Sequence, residues 1–262
     1  MKTAPAISII TPVYNGEACL PAALASIRRQ DRPDLEHIII DDGSKDDTAG
    51  VVRRLAPAAR YFYQPNGGCP AARNAGLARV RTPLVAFLDA DDEWPADALR
   101  HLAAALQAHP EALFVLGRTR FLSKAGDPMP APWVSPNLGA GLYRREAYEQ
   151  VGNFNVHCDV TEDIDWFLRA REKSIPYVTI EAETLHYWRR PGSQTAGKSW
   201  DDTTLKASIR ASLARRRLAG GGQARELNFL SGSAQDPRAT GLVNQANEPG
   251  QPVRPGEPND EA

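Results

Sequence analysis

Five strand-length apolar runs, separated by four stretches of helical period, fill the first half of this chain, and no other feature limits its fold as severely. ISIITPV (7–13), HIIID (37–41), ARYFYQ (59–64), PLVAFLD (83–89) and ALFVLGRTRFL (112–122) read as strands. EACLPAALASIRRQ (17–30), DTAGVVRRL (47–55), CPAARNAGLARV (69–80) and PADALRHLAAALQAH (95–109) read as helices, the first with Leu20, Leu24 and Ile27 on one stripe. Strands that are apolar on both faces, alternating with helices, need a parallel sheet covered on both sides. Right-handed crossovers bring the C-terminal ends of the strands to one edge, where such sheets bind ligands. The expected fold is therefore α/β, a mostly parallel sheet flanked by helices.

The second half is less regular. SKAGDPMPAPWVSPNL (123–138) is a Pro-rich loop, and GAGLYRREAYEQVG (139–152) is a short strand followed by a helix. TEDIDWFLRAREKS (161–174) is helical, YVTIEA and TLHYW are strands, and a basic helix spans about 203–218. The Gly- and Pro-rich stretch 219–262 is read as an unstructured tail. This divides the chain into a Rossmann-like half (1–125), a second half of the same domain (126–218) and the tail.

Composition excludes several classes. Lys and Arg number 31 against 32 Asp and Glu, so no bulk positive charge exists to collect phosphates and nucleic acid is not expected as a partner. Cys19, Cys69 and Cys158 lie far apart without metal-ligand spacing and read as reduced thiols of a cytoplasmic protein. The most apolar runs, such as LVAFL (84–88), are of strand length, far from the ~20 residues that cross a bilayer. The helix at 203–218 carries Lys206, Arg210, Arg215, Arg216 and Arg217, with Leu205, Ile209 and Leu213 at i, i+4 spacing. It reads as a packed helix with a solvated face, or as a peripheral contact with the inner membrane face.

Polar residues gather at the strand ends. The first ends in Thr11-Pro12-Val13-Tyr14-Asn15-Gly16, and the second in Asp41-Asp42-Gly43-Ser44. The third leads to Asn66-Gly67-Gly68 and Arg73, and the fourth to Asp89-Ala90-Asp91-Asp92. Ser44 reads as the cap of the next helix, with Asp47 closing an S-x-x-D box. The Asp42 carboxylate is expected to be free to accept from a ligand imide N–H. Arg73 in the first turns of its helix opposes the helix dipole, a placement that points to a ligand rather than to packing. Alternation along a strand end puts Asp89 and Asp91 on one side, where carboxylates that would repel one another can share Mg²⁺ or Mn²⁺. A second acidic cluster, Asp159, Glu162, Asp163 and Asp165, opens the helix at 161. Acids in a first turn are ordinary helix design, and the same dipole is expected to keep a carboxylate ionised for work as a general base.

Taken in order, ISIITPVYN, IIIDDGSKDDT, NGGCPAARNAGL, VAFLDADDEW, GAGLYRREAYEQVGNFN and TEDIDWFLRA resemble the family 2 glycosyltransferases of the GT-A fold over about residues 6–190. The resemblance implies an inverting transfer of a sugar from a nucleoside-diphosphate donor, UDP-linked by preference, to an acceptor hydroxyl. It implies Pro12, Tyr14 and Asn15 beside the nucleoside, Asp42 at the base edge and Arg73 near the diphosphate. Asp89 and Asp91, with Asp92 adjacent, would serve ribose and metal. Asp163 would be the general base, with Glu162 orienting the acceptor. Many relatives carry an Arg-x-His-like stretch where this chain has Trp188-Arg189-Arg190; Arg189 and Arg190 read as diphosphate contacts or as a solvated basic turn. The QxxRW motif of processive synthases is absent from the sequence, which favours single transfers. Saccharide, lipid-linked, peptide and small-molecule acceptors all stay open. A nucleotidyltransferase would need a basic phosphate loop after the first strand, where PVYNGEAC has none. A catalytically inactive nucleotide-sugar-binding protein is the other alternative.

Overall fold

The computed structural model describes residues 7–30, 32–123, 129–158, 161–189 and 203–218. The expected tail, Asp159 and Arg190 lie outside the described residues. The elements run β1 (Ile7–Val13), α1 (Leu20–Arg28), β2 (Leu35–Asp41), α2 (Thr48–Leu55), β3 (Arg60–Tyr63), α3 (Cys69–Leu77), β4 (Leu84–Phe87) and α4 (Ala98–Ala108). They continue with β5 (Phe114–Ser123), a 3-10 turn (Leu138–Ala140), β6 (Gly141–Arg144), α5 (Arg145–Val151), α6 (Glu162–Glu172), β7 (Tyr177–Arg189) and α7 (Thr203–Leu218).

All seven strands form one sheet in the order β3-β2-β1-β4-β6-β5-β7. β1 pairs in parallel with β2 and β4, and β2 in parallel with β3. The sheet is mixed rather than wholly parallel, because β6 inserts antiparallel between β4 and β5. The runs YVTIEA and TLHYW are one continuous strand, β7, parallel to β5 with a register shift near Arg118. The sheet carries apolar layers on both faces. Ile7, Ile9, Leu84, Ala86 and Leu88 pack with α4 residues on one side. Val85, Phe87, Phe114 and Tyr143 pack with Trp166 and Phe167 of α6 on the other.

Pro12 lies buried within β1, opposite Ile40 of β2. A proline is tolerated there because Leu88 N–H reaches the Ile10 carbonyl, and residue 12 faces the same way. β4 ends at Phe87, so the missing amide leaves no ladder bond unmade.

α7 departs from its expected amphipathic face. Among its described side chains the buried ones are Ser208 and Ser212, at 3% and 1% exposure, while Ile209 is half-buried and Leu213 is 39% exposed. The Leu205 side chain lies outside the described residues. Among the described residues no helix is long and apolar enough to cross a membrane.

Candidate active site

Tyr14 and Asn15, Asp42 and Asp89 follow the C-terminal ends of the parallel strands β1, β2 and β4, and Arg73 ties Asp89 to the start of α6. Tyr14 is half exposed at the end of β1. Asn15 takes a positive φ of 52°, and its side-chain oxygen accepts the Lys45 amide at 2.8 Å. The Asn15 amide in turn donates to Ser44 Oγ at 2.8 Å. Ser44 is therefore not the cap of α2. Asp46 serves that end instead, its Oδ1 accepting the Thr48 amide at 3.1 Å and the Thr48 hydroxyl at 2.5 Å. Thr48 Oγ1 accepts the Gly16 amide at 2.8 Å, which joins the β1 loop to α2.

The Asp42 carboxylate is buried and already engaged. It accepts from Gln64 Nε2 at 2.7 Å and from the amides of Gly67 at 3.0 Å and Gly68 at 2.8 Å. Its expected freedom is thus reduced to what three protein donors leave. Gly43 next to it has φ +90°, and a Cβ there would lie 2.8 Å from the Asn66 backbone nitrogen. The two turns therefore approach too closely for any larger residue.

Arg73, on α3, is the centre of the site. One terminal nitrogen meets Asp89 Oδ1 and Oδ2 at 2.7 and 2.8 Å. The other is paired with Glu162, at the start of α6. This corrects the reading of its place on the helix: two carboxylates from other elements, not a ligand alone, offset the dipole. Burial works against the guanidinium charge, but Asp89 above all, with Cys69, Glu162 and Asp163, holds its pKa well above the ordinary value. The Asn74 amide, one residue on, brackets Phe154 with two hydrogen bonds, 2.9 Å to its carbonyl and 2.8 Å from its amide. α3 is thereby tied to the chain that leads into α6.

The acidic turn after β4 does not follow strand alternation. The strand stops at Phe87, and the Asp92 amide donates to the Asp89 carbonyl at 3.1 Å, closing a turn. Asp89 is drawn to Arg73, and Asp91 is half-buried. The Asp92 side chain is buried and accepts the Trp188 amide of β7 at 3.2 Å. Glu93 pairs with His186 as an isolated bridge and accepts the Trp188 indole N–H at 3.0 Å. Asp89 and Asp92 are therefore drawn to different partners, Arg73 and the Trp188 amide of β7. Among the described residues no group of three His, Cys, Asp or Glu is placed to hold a metal ion. A Mg²⁺ or Mn²⁺ bound through one or two carboxylates, waters and a ligand diphosphate still fits such a turn. Arg189 is exposed at the end of β7.

Asp163 is partly exposed, and its Oδ1 accepts the Ile164 amide at 2.7 Å. Burial first, and then the neighbouring Glu162, push its carboxyl from 3.8 up to about 7. Burial likewise raises Glu162 against the pull of Arg73. The expected effect of the helix dipole is thus outweighed by desolvation and like charge. Three acids face one guanidinium, and the excess is relieved by protonation.

The links from Asp92 and Glu93 to β7, from Asn74 to Phe154, and from α6 to α7 had no sequence signal. Each joins residues separated by many tens of positions.

The profile described as Glycosyl transferase family 2 matches residues 8–164, more than half of the chain, and the chain belongs to that family. The O-antigen biosynthesis protein RfbC of Myxococcus xanthus is 30% identical over 228 residues, covering 79% of this chain and 18% of RfbC. An uncharacterized glycosyltransferase of Nostoc sp. is 37% identical over 170 residues, covering 55% of this chain and 52% of the relative. The chain spans no more than about half the length of these relatives. Among solved structures, S. aureus TarS 1–349 in complex with UDP-GlcNAc superposes with a TM-score of 0.66 at 20% identity, covering 80% of this chain and 66% of TarS 1–349. The mannosyltransferase PcManGT from Pyrobaculum calidifontis, in complex with GDP-Man and Mn²⁺, gives 0.58 at 20% identity, covering 84% and 77%. These likenesses establish the GT-A fold.

Proposed function

We propose that the chain carries out an inverting, non-processive glycosyl transfer from a nucleoside-diphosphate sugar, UDP-linked by preference, to an acceptor hydroxyl. One observation carries this reading: a single buried guanidinium, Arg73, joins Asp89 of the turn after β4 to Glu162, the neighbour of Asp163. A donor-side acid and a base-side acid therefore share one cleft wall.

In this reading Tyr14 lies against the nucleobase, and Pro12 and Asn15 shape the loop beneath it. Asp42 Oδ2, beside the Gly68 amide, keeps a lone pair for a uracil imide N–H. Glu162 orients the acceptor, whose hydroxyl oxygen forms a bond to the anomeric carbon as the bond to the diphosphate oxygen breaks. Asp163 takes the hydroxyl proton. A carboxyl at about 7 is a far stronger base than one at 3.8, and a positioned base contributes ~10²–10⁴-fold. One displacement from the face opposite the leaving group inverts the anomeric carbon. A divalent Mg²⁺ or Mn²⁺, held by Asp91 and Asp89 with Asp92 behind them, would offset the charge that develops on the leaving diphosphate. Arg189 and Arg190 would follow the diphosphate.

The complexes of TarS with UDP-GlcNAc and of PcManGT with GDP-Man and Mn²⁺ support nucleotide sugars and Mn²⁺ as the first ligands to try. The test is a melting-shift screen of UDP- and GDP-sugars with and without Mn²⁺. At 100 times its dissociation constant a ligand stabilises by about 2.7 kcal/mol, so a Mn²⁺-dependent rise is expected with one nucleotide class. No shift with any member would overturn the reading.

A further inference from the structure

We propose that Ser208 of α7 is a positioning residue for Asp163, acting through the Thr161 hydroxyl. Thr161 stands at the N-cap of α6, yet its side chain makes no capping hydrogen bond. A threonine there ordinarily accepts an amide of the helix's first turn. Here its hydroxyl is shared with Ser208 Oγ at 2.8 Å, and both residues are buried. The amide left over, that of Ile164, goes to the Asp163 carboxylate at 2.7 Å. α7 is fastened at the far end of α6 as well. Ser212 donates to Glu172 Oε1 at 2.5 Å, and Arg215 Nε reaches Glu172 Oε2 at 2.7 Å. The two buried serines thus grip both ends of the helix that bears the proposed base.

The consequence is a competition for one N–H. With Ser208 present, the Thr161 hydroxyl is held towards α7 and away from its own helix, and the Ile164 amide orients Asp163. Without it, Thr161 turns back to cap its own helix and Asp163 loses the donor that fixes its rotamer. The charged and titratable groups around Asp163 come from several elements: Arg73 and Cys69 on α3, Asp89 after β4, Tyr143 on β6 and Glu162 beside it. Ser208 is also hydrogen-bonded to the Cys158 thiol.

The hydrogen-bond exchange stands independently of the reaction; its bearing on turnover rests on the proposed function. Three proteins test it: wild type, S208A, and S208A with T161V, in which no hydroxyl remains to compete. The first readout is the Ile164 amide proton at pH 8, where an amide bonded to an ionised carboxylate lies further downfield than one bonded to a hydroxyl. It is expected to move upfield in S208A and to return in the double variant. The second readout, with the donor found by the melting screen, is kcat against donor KM. S208A is expected to lose roughly ten- to hundredfold in kcat with KM unchanged, and the double variant to recover most of it. An Ile164 resonance indifferent to S208A, or a double variant no better than S208A in that resonance, would overturn the proposal. A wild type that shifts with no nucleotide sugar would overturn the proposed function and leave the amide readout in force.

Discussion

The two halves of the sheet edge hold their acids by different means. On the β1–β3 side, carboxylates are fixed largely by backbone amides of neighbouring turns. Asp41 accepts the Ser44 amide at 2.8 Å, Asp42 the Gly67 and Gly68 amides, and Asp46 the Glu17 amide at 2.9 Å. On the α6 side, Asp163 apart, which accepts the Ile164 amide, they are fixed by cations. Glu162 is paired with Arg73, Asp165 with Arg169 at 2.8 Å, and Glu172 with Arg215 at 2.7 Å. Amide-held acids keep their geometry whatever the protonation of distant side chains. Cation-held acids depend on partners that a single substitution removes.

The largest effect on the α6 side is expected of Asp163→Asn, the acid there that an amide holds. A rate loss of ~10²–10⁴-fold is expected with donor affinity near wild type; full turnover in a sugar-transfer assay would assign the base elsewhere. Next is Arg73→Met, which leaves Asp89 and Glu162 without their cation. Breaking a buried pair costs about 3–5 kcal/mol, on the order of 10 °C in melting temperature for a protein of this size. Asp42→Asn, on the amide-held side, should cost clearly less; equal losses would dissolve the distinction.

Asp91→Asn is expected to abolish the Mn²⁺-dependent part of the nucleotide melting shift. A persistent Mn²⁺ effect would remove Asp91 from the metal assignment. A smaller effect concerns pH. Asp163 titrates at about 7 in the fold against 3.8 as its ordinary value. It therefore stabilises the fold below about 3.8, and that contribution is lost as pH rises towards and through 7. Melting temperatures of wild type and Asp163→Asn should converge at pH 4, with the variant a few degrees higher at pH 8. The smallest effect is expected on the outward face of α7. Leu213→Glu should alter stability by no more than about 0.5 kcal/mol, whereas Ser212→Leu, at a buried hydroxyl bonded to Glu172, should be measurably worse.

The same contrast explains what could be read in advance. β1 to β4 and their helices were legible because periodicity and turn residues are local signals. The placing of Tyr14, Asp42 and Asp89 after the ends of parallel strands followed from the strand-end rule alone. Arg73's partners were not legible, since they lie 16 and 89 residues away. β6 was readable as a strand, but four residues, GLYR, carry no sign of direction. α7 misled because hydropathy marks leucine as inside and serine as outside. A serine goes inside when a partner hydroxyl or carboxylate waits for it, and nothing in its own helix announces that partner.

Pro12 gives the sheet a permanent fork. Beyond Ile10 the first and fourth strands part company, and the imino ring supplies no proton with which they could zip further together. The parting of the two pairings is thus written into the covalent chain, although Val13 and Ala90 still share one apolar cluster just past it. A nucleotide bound here, as proposed, would have no strand pairing to break.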